Sequence, residues 1–195
     1  EQIMDNAVEE SLARVGPGTP SGDVFRCYWL PVEVSANLGG GRGGFLGTRN
    51  PLRIRVLGEN LVLFRDGSGK PGLVAEHCAH RGTSLYYGRV EENCIRCLYH
   101  GWAYDQDGNC IDSPADPPKS TVKNTVKQPA NHCEEIAGLI VSYIGPPERK
   151  APATPAPQRF SAAGLRVTVN CGRLPTCTRP PTPANHLAAL RAHGT

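Results

Sequence analysis

Apolar positions along the chain change rhythm three times. In residues 3–14, Met4, Val8 and Leu12 fall four apart with charges between them, the spacing of a helix that lays one apolar stripe on a core. Gly16-Pro17-Gly18 ends that helix, and Ser21 is positioned to cap a second one over Asp23 to Tyr28. Trp29-Leu30-Pro31-Val32 then starts extended chain. From Leu52 the rhythm becomes that of strands: Leu52 to Leu57, Leu61 to Phe64 and Leu73 to Glu76 are short apolar or alternating runs. The turn formers Gly58-Glu59-Asn60 and Asp66-Gly67-Ser68-Gly69 separate them, which predicts an antiparallel meander. Further strands are expected at Trp102 to Tyr104, Cys110 to Asp112, Val122 to Val126 and Leu139 to Ile144. Many short strands and few helices point to the all-β class, as a small antiparallel β-sandwich or open barrel with short N-terminal helices.

Two segments fall outside this rhythm. Gly39 to Gly44 is glycine-dense, but no lysine followed by serine or threonine completes a phosphate-cradling loop, so it reads as a flexible surface loop. Beyond Ala151 the chain is dominated by Ala, Pro, Thr and Arg. Apart from Leu165 to Val169 it shows no strand or helix rhythm, and a disordered tail is expected there. The division expected is therefore a helical extension over 1–31, a β domain over 32–148 and a tail over 149–195.

Charge changes the picture only once it is divided along the chain. The net charge is +3, yet residues 151–195 hold five arginines (Arg159, Arg166, Arg173, Arg179, Arg191) and no acid, leaving residues 1–150 at −2. With the excess in the tail and no aromatic or motif support, nucleic-acid binding is not expected. The apolar run from Gly138 to Ile144 is strand-sized, far short of a bilayer span, so no membrane crossing is expected. No secretory signal pattern precedes it, which places the chain in the cytoplasm by expectation.

The candidate chemistry is concentrated in 23 residues: Cys78-Ala79-His80, then sixteen residues, then Cys97-Leu98-Tyr99-His100. Each half offers one thiolate and one imidazole. In extended chain, residues two apart project to one side, so Cys78 and His80 can reach toward a common object, while Gly82 and Gly101 permit the tight bends. Two such loops form a pincer suited to a Rieske [2Fe–2S] cluster, in which two cysteines hold one iron and two histidines the other. A Cys2His2 zinc site stays open as a competitor, and Cys94 even makes a C-x-x-C with Cys97. Zinc ribbons and fingers, however, usually pair like with like in each half.

Glu76-His77-Cys78-Ala79-His80-Arg81-Gly82-Thr83-Ser84-Leu85, with Cys97-Leu98-Tyr99-His100-Gly101-Trp102 and the residues to Gly108, resembles the Rieske domain of ring-hydroxylating oxygenases of the phthalate 4,5-dioxygenase type. The likeness extends to Arg14 to Pro20, Tyr28 to Pro31, Leu57 to Leu61 and Ile144 to Glu148, covering roughly residues 12–148. Ala79 departs from it where that subfamily often has proline, a change expected to loosen the loop.

The resemblance implies that Cys78, His80, Cys97 and His100 are the cluster ligands. It further implies an NAD(P)H-dependent flavin and iron–sulfur reductase as electron donor, a trimeric homo-oligomer, and aromatic hydroxylation at a mononuclear Fe(II) site in the full-length protein. That iron needs two histidines and a carboxylate. Beyond Glu148 there is no acid, and His186 and His193 lack the family's close spacing, so the catalytic domain is expected to be missing. The tail then reads as out-of-frame translation or a truncated junction, which translating the other reading frames past codon 150 would test.

Respiratory Rieske proteins resemble C-x-H-x-G-C and C-x-C-H-G-S, and Thr83, Tyr99 and Trp102 replace their disulfide cysteines and serine here. A cluster without that serine hydroxyl is expected near the low end of the Rieske range, about −150 mV. Trp102 is expected to shield the cluster and Arg81 to support its loop. Cys27, Cys94, Cys110, Cys133, Cys171 and Cys177 are expected to be thiols rather than disulfides, and His77 and His132 to be structural or exposed. The alternatives are a free-standing Rieske-type ferredoxin and a zinc-stabilised interaction module.

Overall fold

The computed structural model describes residues 6–39, 43–44, 50–117 and 119–149. Met4, residues 40–42 of the glycine segment and everything from residue 150 onward, including Cys171, Cys177, His186 and His193, lie outside them.

Helix α1 (Asn6–Ala13) and helix α2 (Pro20–Arg26) lead into β1 (Trp29–Val34). The second helix starts earlier than Ser21 suggests. Thr19 is its cap, with the side-chain oxygen accepting from Gly22 N–H at 3.2 Å, and Pro20 occupies the first helical position, where no N–H is required. Gly22 is needed inside this helix because a Cβ there would stand 2.2 Å from the Gly16 carbonyl oxygen. Leu12 is 50% exposed, so the expected apolar stripe of α1 is not buried there. The helix instead rests on α2, where Ser21 Oγ donates to the Leu12 carbonyl at 2.6 Å.

The strands that follow are β2 (Gly43–Gly44), β3 (Leu52–Val56), β4 (Glu59–Arg65) and β5 (Pro71–Ala75). After these come β6 (Arg89–Val90), β7 (Ile95–Arg96), β8 (Ala103–Tyr104), β9 (Cys110–Asp112), β10 (Ala130–Ile136) and β11 (Leu139–Tyr143). They form two antiparallel sheets, one in the order β1-β11-β10-β5-β4-β3 and one in the order β2-β6-β7-β8-β9. The expected meander is β3-β4-β5. Its first turn is Leu57-Gly58, both at positive φ (46° and 81°), the hairpin geometry whose twist suits the flanking strands.

Leu61, Val62, Leu63 and Phe64 are all buried because the large sheet is covered on both faces. Leu61, Leu63, Leu73 and Ile140 pack in one core, while Val62, Phe64 and Val74 join Leu85, Val90, Ile95, Trp102 and Tyr104 of the small-sheet side in the other. The thiols of Cys78 and Cys97 belong to this second core.

Two expectations are corrected. Val122 to Val126 is not a strand: Val122–Thr125 is the one-turn helix α3, with Val126 N–H donating to Val122 O at 3.0 Å. Two valines four apart suit one helical turn as well as a short strand, and Val126 packs on the core from that turn. Gly43 and Gly44 are not free loop, since they pair with Val90 and Arg89. Strand β10 went unforeseen, because its Asn131-His132-Cys133-Glu134-Glu135 shows no apolar alternation.

Candidate metal centre

The four residues singled out by their spacing sit on two loops with the same backbone fold. The first loop leaves β5 and is closed by the His77–Ser84 bridge; the second joins β7 to β8. In each, the cysteine N–H donates to the carbonyl five residues on, Thr83 at 2.9 Å and Trp102 at 2.8 Å. In each, the cysteine carbonyl accepts from a glycine four residues on, Gly82 at 2.8 Å and Gly101 at 3.1 Å. Both glycines lie in the left-handed region, at φ 73° and 75°, which other residues enter only with strain.

This knuckle turns the next N–H groups back on the sulfur. The backbone N–H groups of His80 and Arg81 donate to Cys78 Sγ, and those of Tyr99 and His100 to Cys97 Sγ. The two thiols also act on each other. The Cys97 thiol, aided by Tyr104 and the loop N–H groups, draws the Cys78 thiol down, and the same contact with burial pushes Cys97 up. Both thiols lie inside a core, each 4% exposed or less.

The imidazoles face each other further out. Nδ1 of His100 and Nδ1 of His80 are 3.1 Å apart, with the rings edge to face. Two ligand nitrogens on one tetrahedral metal atom would be about 3.4 Å apart for metal–nitrogen bonds of about 2.1 Å. No group of three or more His, Cys, Asp or Glu among the described residues gathers around one point. The four candidate side chains converge as two pairs, sulfur inside and nitrogen outside, an arrangement that suits a binuclear cluster.

Neighbouring side chains complete the site. Trp102 is buried and stacks on His80 with centroids 4.5 Å apart and planes within 6°, so it covers one face of that imidazole. Arg81 is exposed and supports its loop through its N–H rather than its guanidinium. His77 Nδ1 meets the Gly82 carbonyl at 2.9 Å, a structural contact, and His132 is exposed beside Glu134 at 3.1 Å. Cys27, Cys94, Cys110 and Cys133 are free thiols.

Sequence reasoning missed three groups. Tyr104, fully buried, places its hydroxyl 3.2 Å from Cys78 Sγ; its one sequence signal is the strand position two beyond Trp102. Arg96 carries the second loop: its guanidinium donates to Gly101 O at 2.5 Å and Asp112 Oδ2 at 2.7 Å, and to both oxygens of Glu91 at 2.9 and 3.0 Å. Those hydrogen bonds hold the Glu91 carboxyl down to about 2. Gln128, which no motif marks, is fully buried against the first loop. Outside the imidazoles, exposed Leu98 and Tyr99 line with Thr83 a shallow depression of about 270 Å³.

Comparison with known proteins agrees with this geometry. The Rieske [2Fe-2S] domain family matches residues 29–130. The alpha subunit of phenoxybenzoate dioxygenase from Ectopseudomonas oleovorans is 46% identical over 142 residues, 73% of this chain and 32% of that protein. The phthalate 4,5-dioxygenase oxygenase subunit of Pseudomonas putida is 35% identical over 164 residues, 82% of this chain and 36% of that protein. Among solved structures, NdmA of Pseudomonas putida CBB5 superposes with a TM-score of 0.52 at 33% identity, covering 62% of this chain and 35% of that one. The chain spans about a third of the length of these relatives. With two cysteine–histidine knuckles offering paired sulfur and paired nitrogen, and this match across the strands that carry them, the chain belongs to the Rieske [2Fe-2S] domain family.

Proposed function

We propose that Cys78 and Cys97 hold one iron of the [2Fe–2S] cluster and His80 and His100 the other, and that the chain relays single electrons as the Rieske part of an aromatic ring-hydroxylating oxygenase. The observation that carries this reading is the convergence of the ligands as two pairs, with both thiols buried and the imidazole nitrogens 3.1 Å apart. When bound, the cluster supplies a one-electron couple whose potential is set by hydrogen bonds to its sulfurs and by exposure to water. The chain's own residues do the rest. Backbone N–H groups and Tyr104 stabilise charge on the cysteine sulfurs, Trp102 keeps water off one imidazole face, and the histidines stand nearest solvent for exchange with partners.

In this reading residues 1–31 are a helical extension, 32–148 the Rieske domain and 149–195 a tail. An NAD(P)H-dependent flavin and iron–sulfur reductase delivers the electrons in the cytoplasm. They pass on to a mononuclear iron in the remaining length of such an oxygenase subunit, within a homotrimer. Relatives that are oxygenase subunits support this over a free-standing ferredoxin. Among the described residues no helix is long and apolar enough to cross a membrane.

Anaerobic reconstitution tests the reading. It predicts about two irons and two acid-labile sulfides per chain, and one electron taken up on reduction. One zinc per chain and no sulfide would replace it with the interaction-module alternative.

A further inference from the structure

The first ligand loop leaves the large sheet at a place where backbone pairing fails. Strands β10 and β5 pair Asn131 with Leu73 and Ala130 with Val74, which sets Pro129 opposite Ala75. In an antiparallel pair of this kind the two residues exchange both hydrogen bonds. Ala75 N–H does donate to Pro129 O, at 2.8 Å, but proline has no N–H to return. The Ala75 carbonyl is served instead by a side chain: Gln128 Nε2 donates to it at 2.9 Å.

The same carboxamide continues along the loop. Nε2 also donates to His77 O at 3.0 Å, and Oε1 accepts from Ala79 N–H at 2.7 Å. Residues 75, 77 and 79 present their backbone groups to one side of an extended segment. One side chain thus stands in for a neighbouring strand on both flanks of Cys78. Two carbonyls to receive donors and one N–H to give one leave a single orientation of the amide satisfied. Gln128 is 0% exposed, so these bonds are not shared with water.

The backbone of Gln128 is held as firmly. Its N–H donates to Gly108 O at 2.8 Å, and a Cβ on Gly108 would lie 1.9 Å from the Gln128 carbonyl oxygen. Gly108 belongs to the turn joining β8 to β9, and β8 carries Tyr104, which bonds Cys78 Sγ, directly after the second loop. The residue therefore ties the first ligand loop to the hairpin that carries the second.

We propose that Gln128 is a positioning residue for the cluster: its buried carboxamide, bonded to residues 75, 77 and 79, fixes the first loop so that Cys78 and His80 stay aligned with Cys97 and His100. This rests on the ligand assignment proposed above. Through the Ala79 N–H it offsets the freedom that a non-proline residue leaves in the loop.

The test compares the reconstituted parent chain with Gln128→Met, which keeps the volume and removes all three bonds. Loss of iron to a chelator should be about 10- to 100-fold faster in Q128M, the range for residues that orient metal ligands. Its electron paramagnetic resonance g-values and midpoint potential should shift. Unchanged iron loss and g-values in Q128M would overturn the proposal. If Q128M does not fold, an Ala79 amide in the parent chain that exchanges as fast as an unprotected one would overturn it equally, since the proposal holds that N–H on the buried carboxamide. A parent chain that binds no iron and sulfide would refute the ligand assignment itself, a separate outcome.

Discussion

The two ligand loops share a backbone and differ in what holds it. Cys78 and Cys97 make the same two backbone bonds, to the residues four and five on, and each loop bends at a left-handed glycine. The first is supported by a neutral, fully buried carboxamide, with a buried Glu76 paired to Arg53 at its base; the second is held by a guanidinium and two carboxylates that still see water. Buried neutral bonds are insensitive to salt and acid, whereas ionic ones weaken with both. The bonds that Arg96 makes should therefore weaken under conditions that leave those of Gln128 intact.

Replacing Arg96 should separate them most. Arg96→Met strips the Gly101 carbonyl of its donor, leaves Asp112 without this partner and leaves Glu91 with Arg89 alone, at a cost of about 2–3 kcal/mol in urea denaturation. Amide exchange should rise in residues 97–102 while Ala79 stays protected.

The glycines sharpen the contrast. Alanine in the left-handed region costs about 1 kcal/mol at either position. A Cβ on Gly82 meets nothing within 4 Å, but on Gly101 it would stand 2.9 Å from Pro114 Cγ, a ring atom with little freedom to move. Gly101→Ala should therefore destabilise the protein more than Gly82→Ala, by about 1–2 kcal/mol. Equal denaturation midpoints would show that the second loop has room which the packing denies.

Acid should act on the second loop through Glu91. The Glu91 carboxyl is held at about 2 in the folded chain, against 4.5 for an unperturbed group, chiefly by hydrogen bonds from Arg96. A depressed carboxyl contributes stability in full above the unperturbed value, and loses it as pH falls toward the folded one. Glu91→Gln should cost about 1 kcal/mol at pH 7, with the difference from the parent shrinking below pH 4.5 and gone near pH 2. A difference independent of pH would remove the carboxylate from the account.

The smallest effect expected is on the potential. The absence of the respiratory serine argued for a value near the low end of the Rieske range, yet Tyr104 supplies a hydroxyl at 3.2 Å from Cys78 Sγ. Tyr104→Phe should lower the midpoint by on the order of 40 mV, the equivalent of one hydrogen bond of about 1 kcal/mol. An unchanged midpoint would mean that the hydroxyl does not reach the reduced cluster.

Much of the site is legible in the sequence because ligation imposes local spacing. A cysteine and a histidine two or three residues apart, with a glycine just beyond, describe each knuckle almost completely. The meander is legible too, from Leu52 to Ala75, since apolar runs separated by turn formers carry their own register. What escapes is what only folding brings together. Strand β10 is polar because β5 and β11 flank it, and its backbone rather than its side chains does the binding. Val122 and Val126 fit a helical turn or a strand until the core selects the turn. Gln128 lies 50 residues beyond Cys78 with no motif around it, and Tyr104 reads as one more apolar strand residue. Both matter only because the two sheets fold their loops against each other.

The central claim is that two thiolates and two imidazoles divide one binuclear cluster between them. Pulsed electron paramagnetic resonance of the reduced, reconstituted chain, prepared with and without 15N-histidine, reads this directly. Two inequivalent histidine nitrogens should couple to the unpaired spin and change with the isotope; a spectrum with no histidine coupling, or no signal from a chain holding zinc, would contradict it.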